Sequence, residues 1–215
     1  MARREWLVGL VAAALVSCGG GKSVDPGQDE EFIQDAQLTV DDLPGGFVEE
    51  PVDDDESRAG DVCNTEVLDL DPDDIEAAKT AETDSVQFQS DTLSIRAQIT
   101  AFADRDIPRR ILEAFEDNDD YLDCFIEKFE TEVPDDVRVE EVDTDDLPIA
   151  HDAVDAGITL VVKLDVGGVA AEARTFLLLI DRYAVGLDVT ARAEDMDTDV
   201  AADALEDIVV RLSND

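Results

Sequence analysis

The sharpest pattern in the chain runs through residues 92–103. Leu93, Ile95, Ala97, Ile99 and Ala101 alternate with Ser94, Arg96, Gln98 and Thr100. A period of two predicts a half-buried strand, and the extended stretch is drawn over 85–103. Three further strands follow as a meander, at 158–166, 169–180 and 183–191. Gly167-Gly168 suits the tight turn of the first hairpin, and Asp181-Arg182 the second. Phe176 to Ile180 is apolar at every position, which predicts a strand buried on both sides. A short strand is expected at 136–142.

Helical spacing appears elsewhere. Asp71, Pro72, Asp73 and Asp74 read as an N-terminal cap, predicting a helix to about Thr83. Ile107, Ile111, Leu112 and Phe115 recur at helical intervals after a cap at Asp106. Tyr121, Leu122, Phe125, Ile126 and Phe129 repeat the pattern, with Asn118-Asp119-Asp120 as the break. A last helix, capped at Asp197 or Thr198, puts Ala201, Leu205, Ile208 and Leu212 on one face. In Leu43-Pro44-Gly45-Gly46, Pro and Gly form the centre of a type II turn, followed by the apolar pair Phe47-Val48. Residues 49–61 read as an acidic loop. Together these elements predict an α+β fold: one domain over 36–215, with an antiparallel sheet of five to six strands and helices on one face. Asp41-Asp42-Leu43-Pro44 recurs as Asp145-Asp146-Leu147-Pro148, too short an echo to mark a duplication.

The N-terminus has another organisation. Arg3 and Arg4 precede an apolar run from Trp6 to Val16, and Leu15-Val16-Ser17-Cys18 follows. That order is a signal peptide over 1–17 ending in a lipobox, with Cys18 as the lipidated residue. The run is too short to span a bilayer, which needs about 20 apolar residues. Arg3-Arg4 also resembles a twin-arginine export signal; general secretion is the other route. Gly19-Gly20-Gly21 opens a polar stretch that reads, over 18–35, as a flexible linker. The domain is thus expected on the extracytoplasmic face of a cell membrane, held by a lipid anchor.

Charge narrows the partners. The 56 acidic residues outnumber 16 basic ones, for a formal net charge of −40. Nucleic acid and anionic membrane surfaces would be repelled. With 44% hydrophobic residues, the chain can still build a core, so it is not read as disordered. Lysine is scarce, at Lys22, Lys79, Lys128 and Lys163 only, a composition that resembles proteins of salt-rich habitats. Cys63 and Cys124 remain after Cys18, an even pair in an oxidising compartment. A disulfide is expected between them, with two buried thiols as the other reading.

Candidate chemistry is sparse. His151 is the one histidine, in an Ala-His-Asp loop, and no Gly-x-Ser-x-Gly elbow accompanies it. No phosphate loop, dinucleotide fingerprint or zinc spacing occurs. Asp69-x-Asp71-x-Asp73 starts like a calcium loop, but Asp74 and Thr80 occupy the glycine and glutamate positions. Asp53-Asp54-Asp55-Glu56 reads as solvated loop. No catalytic residues, metal ligands or cofactor are therefore assigned.

The order of parts resembles the PknH-like extracellular sensor domain family, found as outer domains of actinobacterial serine/threonine kinases and as free lipoproteins. The likeness lies in the lipobox at Cys18, the turn Leu43-Pro44-Gly45-Gly46-Phe47, Cys63, strand 92–103, the helix bearing Cys124, the meander and the closing helix. It implies a non-catalytic domain with a groove for a ligand. This chain has one candidate disulfide where the kinase sensors have more, and it is far more acidic. The expected role is a surface lipoprotein binding an extracytoplasmic ligand or protein partner, with the sheet face of 92–103 and 158–191 as the place to look. A carrier of lipid or another hydrophobic ligand, and an extracytoplasmic hydrolase, are the alternatives.

The acidity makes a direct prediction. Raising NaCl from about 0.1 to 1 M shortens the screening length from about 10 Å to about 3 Å. The melting temperature, followed by circular dichroism, should rise steeply over that range. A flat response would remove salt adaptation from this reading.

Overall fold

The computed structural model describes residues 26–52, 59–134 and 136–213. The stretch read as a signal peptide, Cys18 and Asp53-Asp54-Asp55-Glu56 lie outside the described residues. The helices are α1 (Pro26–Ala36), α2 (Ala59–Glu66), α3 (Pro72–Glu76), α4 (Asp106–Asp117), α5 (Asp119–Glu132) and α6 (Thr198–Ser213). The strands are β1 (Val48–Glu50), β2 (Lys79–Glu82), β3 (Val86–Gln89), β4 (Leu93–Phe102), β5 (Val137–Asp145), β6 (Ala156–Val166), β7 (Ala170–Ile180) and β8 (Tyr183–Arg192).

All pairings are antiparallel, in the order β1-β3-β4-β8-β7-β6-β5. Strand β2 extends the β3 side by pairing with the far end of β4. The fold is therefore α+β in a single domain, with eight strands among the described residues rather than five or six. Gly167 and Gly168 close the β6–β7 hairpin at φ 61° and 89°, conformations glycine adopts without Cβ strain. At the opening turn the positive φ falls on Gly46, at 113°, so the turn sits one residue later than the Pro-Gly pair suggested.

Helices pack on both faces of the sheet rather than on one. Leu93, Ile95, Ala97 and Ile99 of β4 join Phe176, Leu178, Val185 and Leu187 beneath α1 and α6. On the opposite face, Leu160, Val162, Leu177 and Leu179 join α2, α3, α4 and α5. Alternation explains this: successive side chains of β7 point to opposite faces, and all are apolar from Phe176 to Ile180. That strand supplies both cores, as its sequence predicts.

Several local boundaries differ from the sequence reading. Asp71 does cap α3, accepting from the Asp73 amide at 2.9 Å, but the helix ends at Glu76. Residues 79–82 instead pair with β4, because β4 leaves an open edge there that tertiary pairing satisfies. The stretch 85–103 is two strands, not one. Ser90 turns the chain, its Oγ accepting from the Thr92 and Leu93 amides. Asn118 separates α4 from α5, and its side chain accepts from the Tyr121 amide at 3.2 Å. Asp197 caps α6 through the Asp199 amide.

Residues 26–35, placed in the linker by composition, form most of α1. Its apolar residues are few, but Ile33 and Ala36 are fully buried. Asp29 anchors it. Arg182, in the β7–β8 turn, grips the Asp29 carboxylate with both terminal nitrogens and also donates to the Phe102 carbonyl at 2.8 Å. Thr80 donates to the same carboxylate. The guanidinium lies 4.9 Å from the centre of the Tyr183 ring, against which Phe32 packs. A second clamp joins Arg211 of α6 to Asp42 and to the Gln37 carbonyl.

Helix α2 was not legible as a helix. Its buried contacts are held by a disulfide between Cys63 and Cys124 of α5, whose Cα atoms are 5.9 Å apart. Closing a loop of 61 residues contributes about 4 kcal/mol in the chain-entropy model. Beside it, the Tyr121 hydroxyl donates to Asn64 Oδ1 at 2.8 Å. Edge-to-face contacts from Phe115 to Tyr121 and Phe125 tie α4 to α5.

The Asp29 clamp has a pH signature. Burial alone pushes its carboxyl up, but bonds from Arg182 and Thr80 outweigh this and leave it below the ordinary value. A depressed carboxylate stabilises the fold above about pH 4 and loses that contribution as pH falls through its folded pKa. Protonating the many surface acids relieves repulsion, which acts in the opposite direction. The difference between wild type and Asp29→Asn isolates the clamp. By urea denaturation at constant salt, the variant should lose on the order of 3 kcal/mol at pH 7, and the gap should narrow below about pH 4. A pH-independent gap would exclude the ionised clamp.

Candidate functional site

The side of the sheet that carries α2 to α5 changes character across its width. Over β6 and β7 it is apolar and helix-covered. Over β3, β4 and β8 the same face is polar. The alternation of β4 puts Ser94, Arg96, Gln98 and Thr100 there, and β8 adds Asp188 and Thr190. Gln87 stands opposite Arg96, Arg96 opposite Asp188, and Asp188 opposite Thr175. The next row is Gln89, Ser94, Thr190 and Ala173.

These side chains are buried. Arg96 is 3% exposed, Asp188 4%, Thr175 2% and Ser94 4%. Burying polar groups is costly unless they are hydrogen-bonded, and most of the strip is. Thr175 Oγ1 donates to Asp188 Oδ1 at 2.5 Å. Arg96 donates to Ser85 Oγ at 3.0 Å. Gln98 and Thr100 both reach Glu82 Oε1, at 3.1 and 3.4 Å. Three buried atoms of the strip have no hydrogen-bond partner: Ser94 Oγ, Arg96 Nε and Asp188 Oδ2. Arg96 and Asp188 are bonded through their other atoms, whereas Oγ is the only polar side-chain atom of Ser94.

Ser94 lies at the edge of a cleft of about 370 Å³. Gln89, Thr92, Ser94, Thr190 and Arg192 form its polar side, and Val166, Val169 and Ala171 its apolar side. Asp136 also borders it. The cleft occupies the end of the sheet with the β6–β7 hairpin, and Val169 there is 48% exposed. This size is at the small end of the range for small-molecule pockets, and a mostly apolar wall with few polar groups is their usual make-up.

The other sequence candidates lie elsewhere. His151 is half-buried in the loop before β6, where its Nδ1 accepts from the Ala153 amide at 3.2 Å. Asp155 of that loop binds the amide of Asp181 in the β7–β8 turn, so His151 sits at the end of the sheet opposite the cleft. Asp69 occupies a positive-φ turn and Asp71 caps α3, which accounts for the calcium-like spacing. Among the described residues no group of three or more His, Cys, Asp or Glu side chains is arranged to hold a metal ion. Nor is any helix among them long and apolar enough to cross a membrane. The polar phase of strand 92–103 was visible in sequence. Its junction with Thr190 and Arg192 was not, because that needs the β4–β8 register.

No family model matches the chain, and no curated protein matches its sequence. Its fold is similar to the crystal structure of the extracellular domain of PknH from Mycobacterium tuberculosis, with a TM-score of 0.52 at 9% identity. The match covers 91% of this chain and all of that domain. At this identity the likeness is one of fold.

The buried strip can be tested through its shortest link. Thr175→Val keeps the shape and removes the donor to the Asp188 carboxylate. Leaving a buried acceptor short of a bond should cost about 2 kcal/mol, read from the urea midpoint. A neutral effect would show that this hydrogen bond does not support the strip.

Proposed function

We propose that this chain is a surface lipoprotein, anchored through Cys18, whose extracytoplasmic domain binds a ligand or partner without chemical turnover. The observation that carries the binding role is the cleft at the end of β4 and β8, with an unbonded, buried Ser94 hydroxyl in its lining. Three features support the location: the lipobox, a disulfide suited to an oxidising compartment, and a fold like that of an extracellular domain. The non-catalytic reading draws on His151 standing apart from the cleft, at the opposite end of the sheet.

The geometry also bears on the hydrophobic-carrier alternative. Helix α1 follows the tether, and Asp29 in its first turns is fixed to Arg182 in the β7–β8 turn. The cleft lies at the other end of β8, a strand of ten residues, hence about 30 Å away. With a lipid at Cys18 the cleft would stand at the end of the sheet away from the clamp that holds α1. That placement suits capture from the surroundings better than extraction of a lipid from the membrane.

Cys18→Ala should move the protein from the membrane fraction to the soluble fraction of its host without changing its melting temperature. Full retention on the membrane would reject the lipid anchor.

A further inference from the structure

We propose that the cleft binds a small molecule through a carboxylate, with Arg192 as the anchoring cation. This rests on the binding role given to the cleft above and names the chemistry of its ligand.

The first observation is an unused cation. In a chain with 56 acids and 16 bases, almost any basic side chain should find a carboxylate. Among the described residues, Lys79, Lys128, Lys163, Arg105, Arg109, Arg174, Arg182 and Arg211 each lie within 4.0 Å of one. Arg96 and Arg110 are spent on Ser85 and on the Leu68 carbonyl. Arg138 and Arg192 have no bonded partner among the described residues. Arg138 lies on the outer strand β5, outside the cleft lining. Arg192, at the exposed end of β8, is part of that lining. A planar guanidinium recognises a carboxylate with two parallel hydrogen bonds.

The second observation is independent. Ser94 Oγ is buried in the same lining and has no partner. Leaving such a group unsatisfied costs about 1–3 kcal/mol, which a bound oxygen would relieve. Thr190 stands directly across from Ser94, and its hydroxyl also bonds no described residue. Two hydroxyls can donate to a carboxylate that Arg192 holds. Val166, Val169 and Ala171 supply an apolar wall, which suits an aliphatic body. Asp136, on the border, disfavours a second negative charge on the ligand.

The carboxylate could belong to a free small acid or to the C-terminus of a peptide. The test uses the full chain purified from its host at high salt and labelled with ¹⁵N. Sodium butanoate, butanamide, and an acetylated dialanine with free or amidated C-terminus are titrated at fixed ionic strength. Butanoate should shift the Arg192 side-chain Nε–H and the Ser94 and Thr190 amides. Arg192→Gln should weaken this about tenfold or more while leaving the remaining spectrum in place. A stronger response to the free-acid peptide than to butanoate would make the source a peptide end; the reverse would favour a free acid. Equal shifts from acid and amide, or unchanged affinity in Arg192→Gln, would overturn the carboxylate assignment while leaving the cleft a binding site. No cleft shift from any probe also overturns it. The broader binding role falls only if native mass spectrometry of that preparation, too, finds no bound mass or partner.

Discussion

Strand β7 is bonded along its length to β6 on one side and to β8 on the other, and both of its faces are buried at the Phe176–Ile180 end. Burial on two faces forces the arrangement around it. Each face needs its own cover, so helices must come from both directions. Phe176, Leu178 and Ile180 draw in α6 and the N-terminal α1; Leu177 and Leu179 draw in α4 and its neighbours. The connections then follow: α1 is clamped to the β7–β8 turn by Asp29 and Arg182, and the short α2 is stapled to α5 by the disulfide.

Where β7 passes to β8 and β4, one face continues as core and the other turns polar. The polar side holds a buried strip, bonded internally through Thr175 and Asp188 and along its edge to Ser85 and Glu82, and it ends at the cleft. This asymmetry separates an apolar, helix-covered half of the sheet from a polar half that borders the cleft. The heavy negative charge sits mainly on solvated positions and sets the background. Against that background the few cations are informative. Those at Arg182 and Arg211 hold the N-terminal segment, and Arg192, beside the cleft, has no partner among the described residues.

Much of this architecture could be read along the chain. The period of two in 93–101, the continuous apolar run of 176–180, the Gly167-Gly168 turn and the breaks at Asn118 and Asp197 each reflect a local rule. Local rules failed where tertiary pairing outweighed them. Residues 79–82 had a helical start upstream, yet the open edge of β4 took them as a strand. Residues 26–35 look like linker because their apolar positions are few, but Ile33, Ala36 and the Asp29 carboxylate suffice once Arg182 is in place. A polar turn inside 85–103 hid behind residues that also suit an extended chain.

The sequence by itself determined the α+β class, the apolar strands, the caps and the disposition of charge, because side-chain periodicity and turn chemistry act over a few residues. Only the tertiary structure decided that helices cover both faces, that Asp29 meets Arg182 across 153 positions, and that Ser94, Thr190 and Arg192 border one cleft. Those outcomes depend on strand register. A shift of one residue would turn Ser94 and Thr190 into the opposite core, and nothing local in their neighbourhoods says which strand will lie alongside.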